Sequence, residues 1–263
     1  MSAKPNSLSK PRPSWSRYFR AFGRAHRKAS AQMETSMPLL RHLDELRRRV
    51  FKAFAAVIVG VGVSFAFAEQ AINYLASPIG GSEALVSIEV TENIAVYMRV
   101  ALLGGVTLGM PFILYQAMQF ILPGLAGREK LWLILGVPFA SLLFAGGAAF
   151  TWFLMIPTAV PFLTGFIGIT TQVRPASYFD FITNLMFWIG ISFEMPIVFM
   201  LLARLKFVTA RQLAGGWRYA VVAITIAAAA ITPTVDPVNM GLVTLPLMGL
   251  YLISIVLAWI AGR

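Results

Sequence analysis

Six apolar stretches, separated by short polar or Pro- and Gly-rich connectors, pattern this chain. Their lengths predict membrane-spanning helices at about 50–68, 94–122, 131–156, 181–202, 217–231 and 238–260, since a helix rises about 1.5 Å per residue. Just before the first run, Leu39, Leu43 and Leu46 stand at helical spacing opposite Asp44, Glu45, Arg47, Arg48 and Arg49, which predicts a short amphipathic helix. The fifth run spans roughly 22 Å of helix, less than a hydrocarbon core of about 30 Å, so the bilayer is expected to thin there. Gly104, Gly105 and Gly109 predict a close helix contact, and Pro111, Pro138, Pro157, Pro161, Pro196 and Pro246 predict broken, rigid helices.

Residues 1–36 differ in kind. They carry eight Lys or Arg against one acid, Glu34, with no apolar run, and read as a disordered basic extension ahead of a domain at 37–263. Such a segment fits an organellar transit peptide, a start site placed upstream of Met37, or an arm that touches anionic lipid.

With 58% hydrophobic and 13% charged residues and a mean hydropathy of +0.73, the chain is an all-α, polytopic membrane protein rather than a soluble domain. Its net charge of +11 is therefore a topological signal and not a sign of nucleic-acid binding. Lys and Arg crowd before Phe54, in the connectors near 128–130 and 204–218, and at Arg263, whereas the alternate loops hold only Arg99 and Arg174. The positive-inside rule then puts both termini in the cytoplasm. No cysteine is present, and the only histidines, His26 and His42, precede the first apolar run, so neither a metal centre nor a cofactor is expected. Intramembrane proteolysis is not supported: a serine protease needs a membrane His, a zinc protease needs H-E-x-x-H, and Asp180 and Asp236 lie at the ends of runs. Nothing in the pattern marks an enzyme.

Four positions stand out chemically. Glu194 lies deep in the fourth run, where an ionised group costs roughly 2.5 kcal/mol or more, and Pro196 beside it is expected to kink the helix. It reads either as a polar site or as an acid joining two helices. Glu45 and Glu129 are acids at basic interfacial segments; they read either as partners of adjacent arginines and lysines or as paired acceptors for a guanidinium ligand. Asp236 in the TPTVDP turn reads as a turn or capping residue.

Five motifs occur in order: MPLLRHLDELRRR at 37–49, FILPGLAGRE at 120–129, PASY at 175–178, SFEMP at 192–196 and TPTVDP at 232–237. Together they resemble the TatC family, the multi-spanning receptor subunit of the twin-arginine protein translocase. The resemblance implies six helices in a concave, cupped arrangement, with helices 5 and 6 short. It implies that Glu45 and Glu129, with Arg47, Phe120 and Pro123, bind twin-arginine signal peptides of folded cargo. It also implies that Glu194 is a polar site within the membrane, and it matches Pro78, Pro196 and Asp236 to family positions. The implied partners are TatA- and TatB-like single-span proteins, membrane lipids and further copies of the chain, for export driven by the proton gradient across a prokaryotic plasma membrane. The alternative from the residues alone is a proton-coupled small-molecule transporter that uses Glu194.

Overall fold

Hydrocarbon offers no hydrogen-bond partners, so a chain this apolar must satisfy its backbone within each segment, and helices do so. The computed structural model describes residues 42–121, 130–165, 172–232 and 236–262, and helices dominate throughout. The chain divides into two units, Met1–Arg48 and Arg49–Arg263. In the first, the described residues 42–48 are helical; the extension at 1–36 lies outside the described residues.

Helix α1 covers His42–Phe65 and α2 covers Ala68–Leu75. Two short turns, Ser77–Ile79 and Ser82–Ala84, lead to α3 at Glu92–Ile121. Next come α4 at Lys130–Phe150, a widened π-turn at Thr151–Met155, and α5 at Ile156–Gly165. The remainder is α6 at Pro175–Ser192, α7 at Met195–Arg204, α8 at Ala210–Gly215, α9 at Trp217–Ile231 and α10 at Pro237–Ala261. Four helical stretches, Glu92–Ile121, Gly136–Gly165, Pro175–Arg204 and Pro237–Ala261, are long and apolar enough to cross a membrane. The pair α1 and α2, bent by 74°, makes a fifth if counted as one span, and α9 is a shorter apolar helix. Only 28–44% of the most apolar part of each of the four is buried within the chain, which leaves the rest to face lipid or partners.

Three apolar runs differ in extent from the sequence expectation. The first bends after Phe65 instead of continuing to Ala68. Ala66 and Phe67 switch to tighter hydrogen bonds with Val63 and Ser64, and the freed Phe65 carbonyl accepts from the Tyr97 hydroxyl at 2.7 Å. The third run continues through Pro157 to Gly165, because the π-turn absorbs the missing proline N–H in the first turn of α5. The fourth begins at Pro175, where the proline occupies the first turn of α6 and its absent N–H costs nothing.

Packing centres on α6, which meets α3, α4, α9 and α10. Phe179, Ile182, Leu185 and Ile189 form its buried face. Glycine permits the closest approaches. A Cβ on Gly60 of α1 would lie 2.4 Å from the Gly105 carbonyl oxygen of α3, and one on Gly105 would lie 2.3 Å from Val61. At the α4–α6 contact a Cβ on Gly147 would lie 2.9 Å from the Gly190 Cα and from the Phe193 ring. Backbones can approach this closely only where no side chain intervenes.

Gly105→Val is therefore expected to push α1 from α3 and destabilise the detergent-solubilised protein by about 1–3 kcal/mol, the usual cost of overpacking. Gly62→Ala, with nothing within 4 Å of the added carbon, should be neutral or slightly stabilising. Thermal unfolding of the two variants side by side checks both outcomes.

Candidate functional site

Pro196 removes a backbone donor, and the helix breaks just before it: α6 ends at Ser192 and α7 starts at Met195. The intervening Phe193 and Glu194 form a turn in which the Glu194 N–H bonds the Ile191 carbonyl at 3.0 Å. Ser192 returns its hydroxyl to the Trp188 carbonyl at 2.7 Å. Glu194 occupies the N-cap of α7, yet its carboxylate does not cap that helix. The residue is 7% exposed, and its Oε1 has no hydrogen-bond partner among the described residues. A buried, unsatisfied carboxyl oxygen is costly unless a ligand or partner meets it. Asn184, ten residues earlier in the same run, instead bonds Asp180 at 3.1 Å.

The surroundings fix Glu194 in place. Phe193 packs its ring 5.7 Å from that of Phe150, and a Cβ on Gly190 would collide with Phe144 at 2.8 Å. Thr151, fully buried, bonds the Gly147 carbonyl at 2.9 Å just before the π-turn. The acid thus sits on a rigid joint between two broken apolar runs.

Glu45 is half-buried on residues 42–48, while Arg47 is exposed. Two residues apart on a helix, their side chains diverge. Pro123 and Glu129 lie outside the described residues. Phe120, half-buried, closes α3 beside Gln119, whose side chain accepts a short bond from Arg49 and donates to the Tyr115 hydroxyl. Pro78 is exposed in the Ser77–Ile79 turn. Asp236 caps α10, accepting from the Asn239 backbone N–H at 2.7 Å and from its side-chain amide at 2.9 Å, as the capping reading expects.

A second carboxylate is prominent in the structure but not in the pattern. Glu92, at the start of α3, is 3% exposed. Its Oε2 accepts from the N–H groups of Ile88 at 3.0 Å and Glu89 at 3.4 Å and from the Ser87 hydroxyl at 3.3 Å. Its Oε1 accepts from the Ala176 N–H at 3.0 Å in the first turn of α6 and faces Arg174 Nε at 3.4 Å. That last contact is an ion pair without hydrogen-bond geometry. Arg174 also bonds Glu89 at 2.9 Å, and this bond with the nearby Glu92 charge raises the guanidinium pKa above its ordinary value. Arg99 joins Asp180 at 2.8 Å. One carboxylate therefore caps α6 and ties its first turn to the segment that leads into α3. The available sequence signal was an acid in the first turn of a long helix and an Arg directly before a helix-starting Pro.

The sequence profile of the Sec-independent protein translocase protein (TatC) matches residues 41–246. The chain belongs to the TatC family. TatC of Deinococcus radiodurans is 38% identical over 235 residues, covering 85% of this chain and 86% of that protein. The chloroplastic TATC of Arabidopsis thaliana is 34% identical over 240 residues, covering 90% of this chain and 71% of that protein. A crystal structure of the twin arginine translocase receptor TatC superposes with a TM-score of 0.75 at 34% identity, covering 84% of this chain and all of that one. The all-helical membrane fold is thus that of TatC, and the family's role is protein transport, not chemical conversion.

Glu92→Ala would leave the first turn of α6 and the segment leading into α3 without their shared acceptor. Hydrogen exchange of the Ile88 and Ala176 amides is expected to speed up by about tenfold or more, as befits loss of a charge-assisted bond. Glu83→Ala, on an exposed turn, should leave both amides protected.

Proposed function

We propose that this TatC protein is the receptor subunit of a twin-arginine translocase, with six membrane crossings and both termini in the cytoplasm of a prokaryotic cell. Residues 37–263 form the working domain, behind a basic extension at 1–36. The observation that carries the reading is the match to the twin arginine translocase receptor, supported by HLDELRRR and FILPGLAGRE at the positions where the family resemblance expects recognition. Glu45 and Glu129 accept the two guanidinium groups of the signal peptide, because Arg engages carboxylates bidentately and a planar fork favours such sites. Arg47, Phe120 and Pro123 take part in the same recognition, as the family resemblance implies. Glu194, buried with one unsatisfied oxygen, accepts a polar group from an inserted signal peptide or from a TatA- or TatB-like helix within the membrane. Export then draws on the proton gradient, and copies of the chain assemble together with these single-span partners.

Charge reversal of the cytoplasmic pair, Glu45→Lys with Glu129→Lys, is expected to abolish crosslinking to a twin-arginine signal peptide while the protein still inserts. Unchanged crosslinking would overturn the assignment. Glu194→Gln is expected to retain that crosslinking and to lose co-purification of the single-span partners by about tenfold, the scale of one buried polar contact. Loss of signal-peptide crosslinking in this variant would show that recognition and assembly are not divided between the two sites.

A further inference from the structure

The chain from Arg204 to Arg218 connects α7 to α9 and carries Arg204, Lys206, Arg211 and Arg218; no acid occurs anywhere between Met195 and Val235. All four cations are exposed. Among the described residues, Lys206, Arg211 and Arg218 enter no ion pair. The segment is nevertheless firmly built. Lys206 adopts φ of 62°, closing α7 with bonds from its own N–H to the Ala203 carbonyl and from the Phe207 N–H to the Leu202 carbonyl, each 3.0 Å. Thr209 and Gln212 form a reciprocal capping box at α8. The Tyr251 hydroxyl of α10 donates to the Leu213 carbonyl at 2.6 Å, and Leu213 is buried.

Two further features say what such a platform faces. Phe207, Trp217 and Tyr219 are 75%, 53% and 83% exposed on the same segment, the mixture of aromatic and cationic side chains that suits the headgroup level of a membrane. Arg218 stacks its guanidinium 5.8 Å from the Trp217 ring. Arg218 occupies the second position of α9, where the backbone already presents positive charge. Charge and the α9 dipole both favour an anion there, and the adjoining chain supplies no acid. Because α9 has 15 residues, its ends lie about 22 Å apart, so headgroups at this end sit deeper than in an unperturbed bilayer.

We propose that the α7–α9 connector is a seat for the phosphodiester of an anionic phospholipid, held by Lys206, Arg211 and Arg218 between exposed aromatic rings. The seat anchors one end of the short α9 and holds the headgroup at the level that α9 imposes. It concerns lipid and not signal peptide, so its test is independent of the receptor assignment.

The test is native mass spectrometry of the delipidated full chain titrated with phosphatidylglycerol or phosphatidylcholine. The unmodified protein is expected to prefer phosphatidylglycerol by about fivefold or more, the contribution of a single interfacial cation. Lys206→Gln with Arg211→Gln and Arg218→Gln should abolish the preference. The charge-preserving Lys206→Arg with Arg211→Lys and Arg218→Lys should keep it, as should a control that removes three charges from the extension, Arg12→Gln, Arg17→Gln and Arg20→Gln. If the triple neutral variant does not survive purification, Arg211→Gln alone should reduce the preference by about fivefold. The proposal is overturned by equal affinity for the two lipids, by an undiminished preference after neutralisation, or by displacement of phosphatidylglycerol with equimolar inorganic phosphate, which would mark a general phosphate site.

Discussion

Hydrocarbon accepts no hydrogen bonds, and the three places where this chain interrupts an apolar run show how that constraint is met. At the α1–α2 bend the Phe65 carbonyl is taken by the Tyr97 hydroxyl. At the π-turn, Thr151 and Thr158 return their hydroxyls to the carbonyls of Gly147 and Leu154. At the α6–α7 break, Ser192 bonds Trp188 in the same manner. Each interruption carries a nearby hydroxyl bonded to a main-chain carbonyl, and at the α1–α2 bend that hydroxyl takes the carbonyl the bend frees. The broken helices are thus a built feature of the fold.

Lipid also removes the usual reason for helices to associate, since tails are as apolar as leucine. Close backbone contact takes over. The α1–α3 contact at Gly60 and Gly105 and the α4–α6 contact at Gly147 and Gly190 bring main chains together where a single methyl would collide. The second contact has a consequence for the site. It seats the Phe193 ring against α4, and Phe193 immediately precedes Glu194, so helix packing sets the position of the acid.

Much of this was legible in sequence. Apolar run length marks the helices, Pro196 marks the break beside Glu194, and Gly104 and Gly105 mark a close contact. Asp236 capped α10 as its turn setting indicates. Helix ends were less legible: Pro157 stops a regular α-helix but not one widened by a π-turn, and Pro175 starts a helix where the apolar count begins only at Phe181. Least legible was the Glu92 cluster. Its partners Arg174 and Ala176 lie more than eighty residues away, and no spacing along the chain records a contact made through folding. These charges read from sequence as markers of a loop's side, although they are the joint that fixes α3 to α6.

Glu92 and Glu194 together show why burial alone does not identify a functional acid. Both are carboxylates almost removed from solvent, each at the start of a helix, and each beside a proline-initiated segment. Glu92 is saturated: both oxygens accept backbone N–H groups and an arginine stands beside one of them. Its desolvation is offset inside the chain, so it needs nothing further and acts on the fold. Glu194 has the reverse balance. It occupies an N-cap without using it, and Oε1 meets no donor among the described residues. A group desolvated at that cost and left incomplete favours whatever supplies the missing donor. The satisfied acid therefore explains why α3 and α6 hold together, and the unsatisfied one is the acid left open to a further donor.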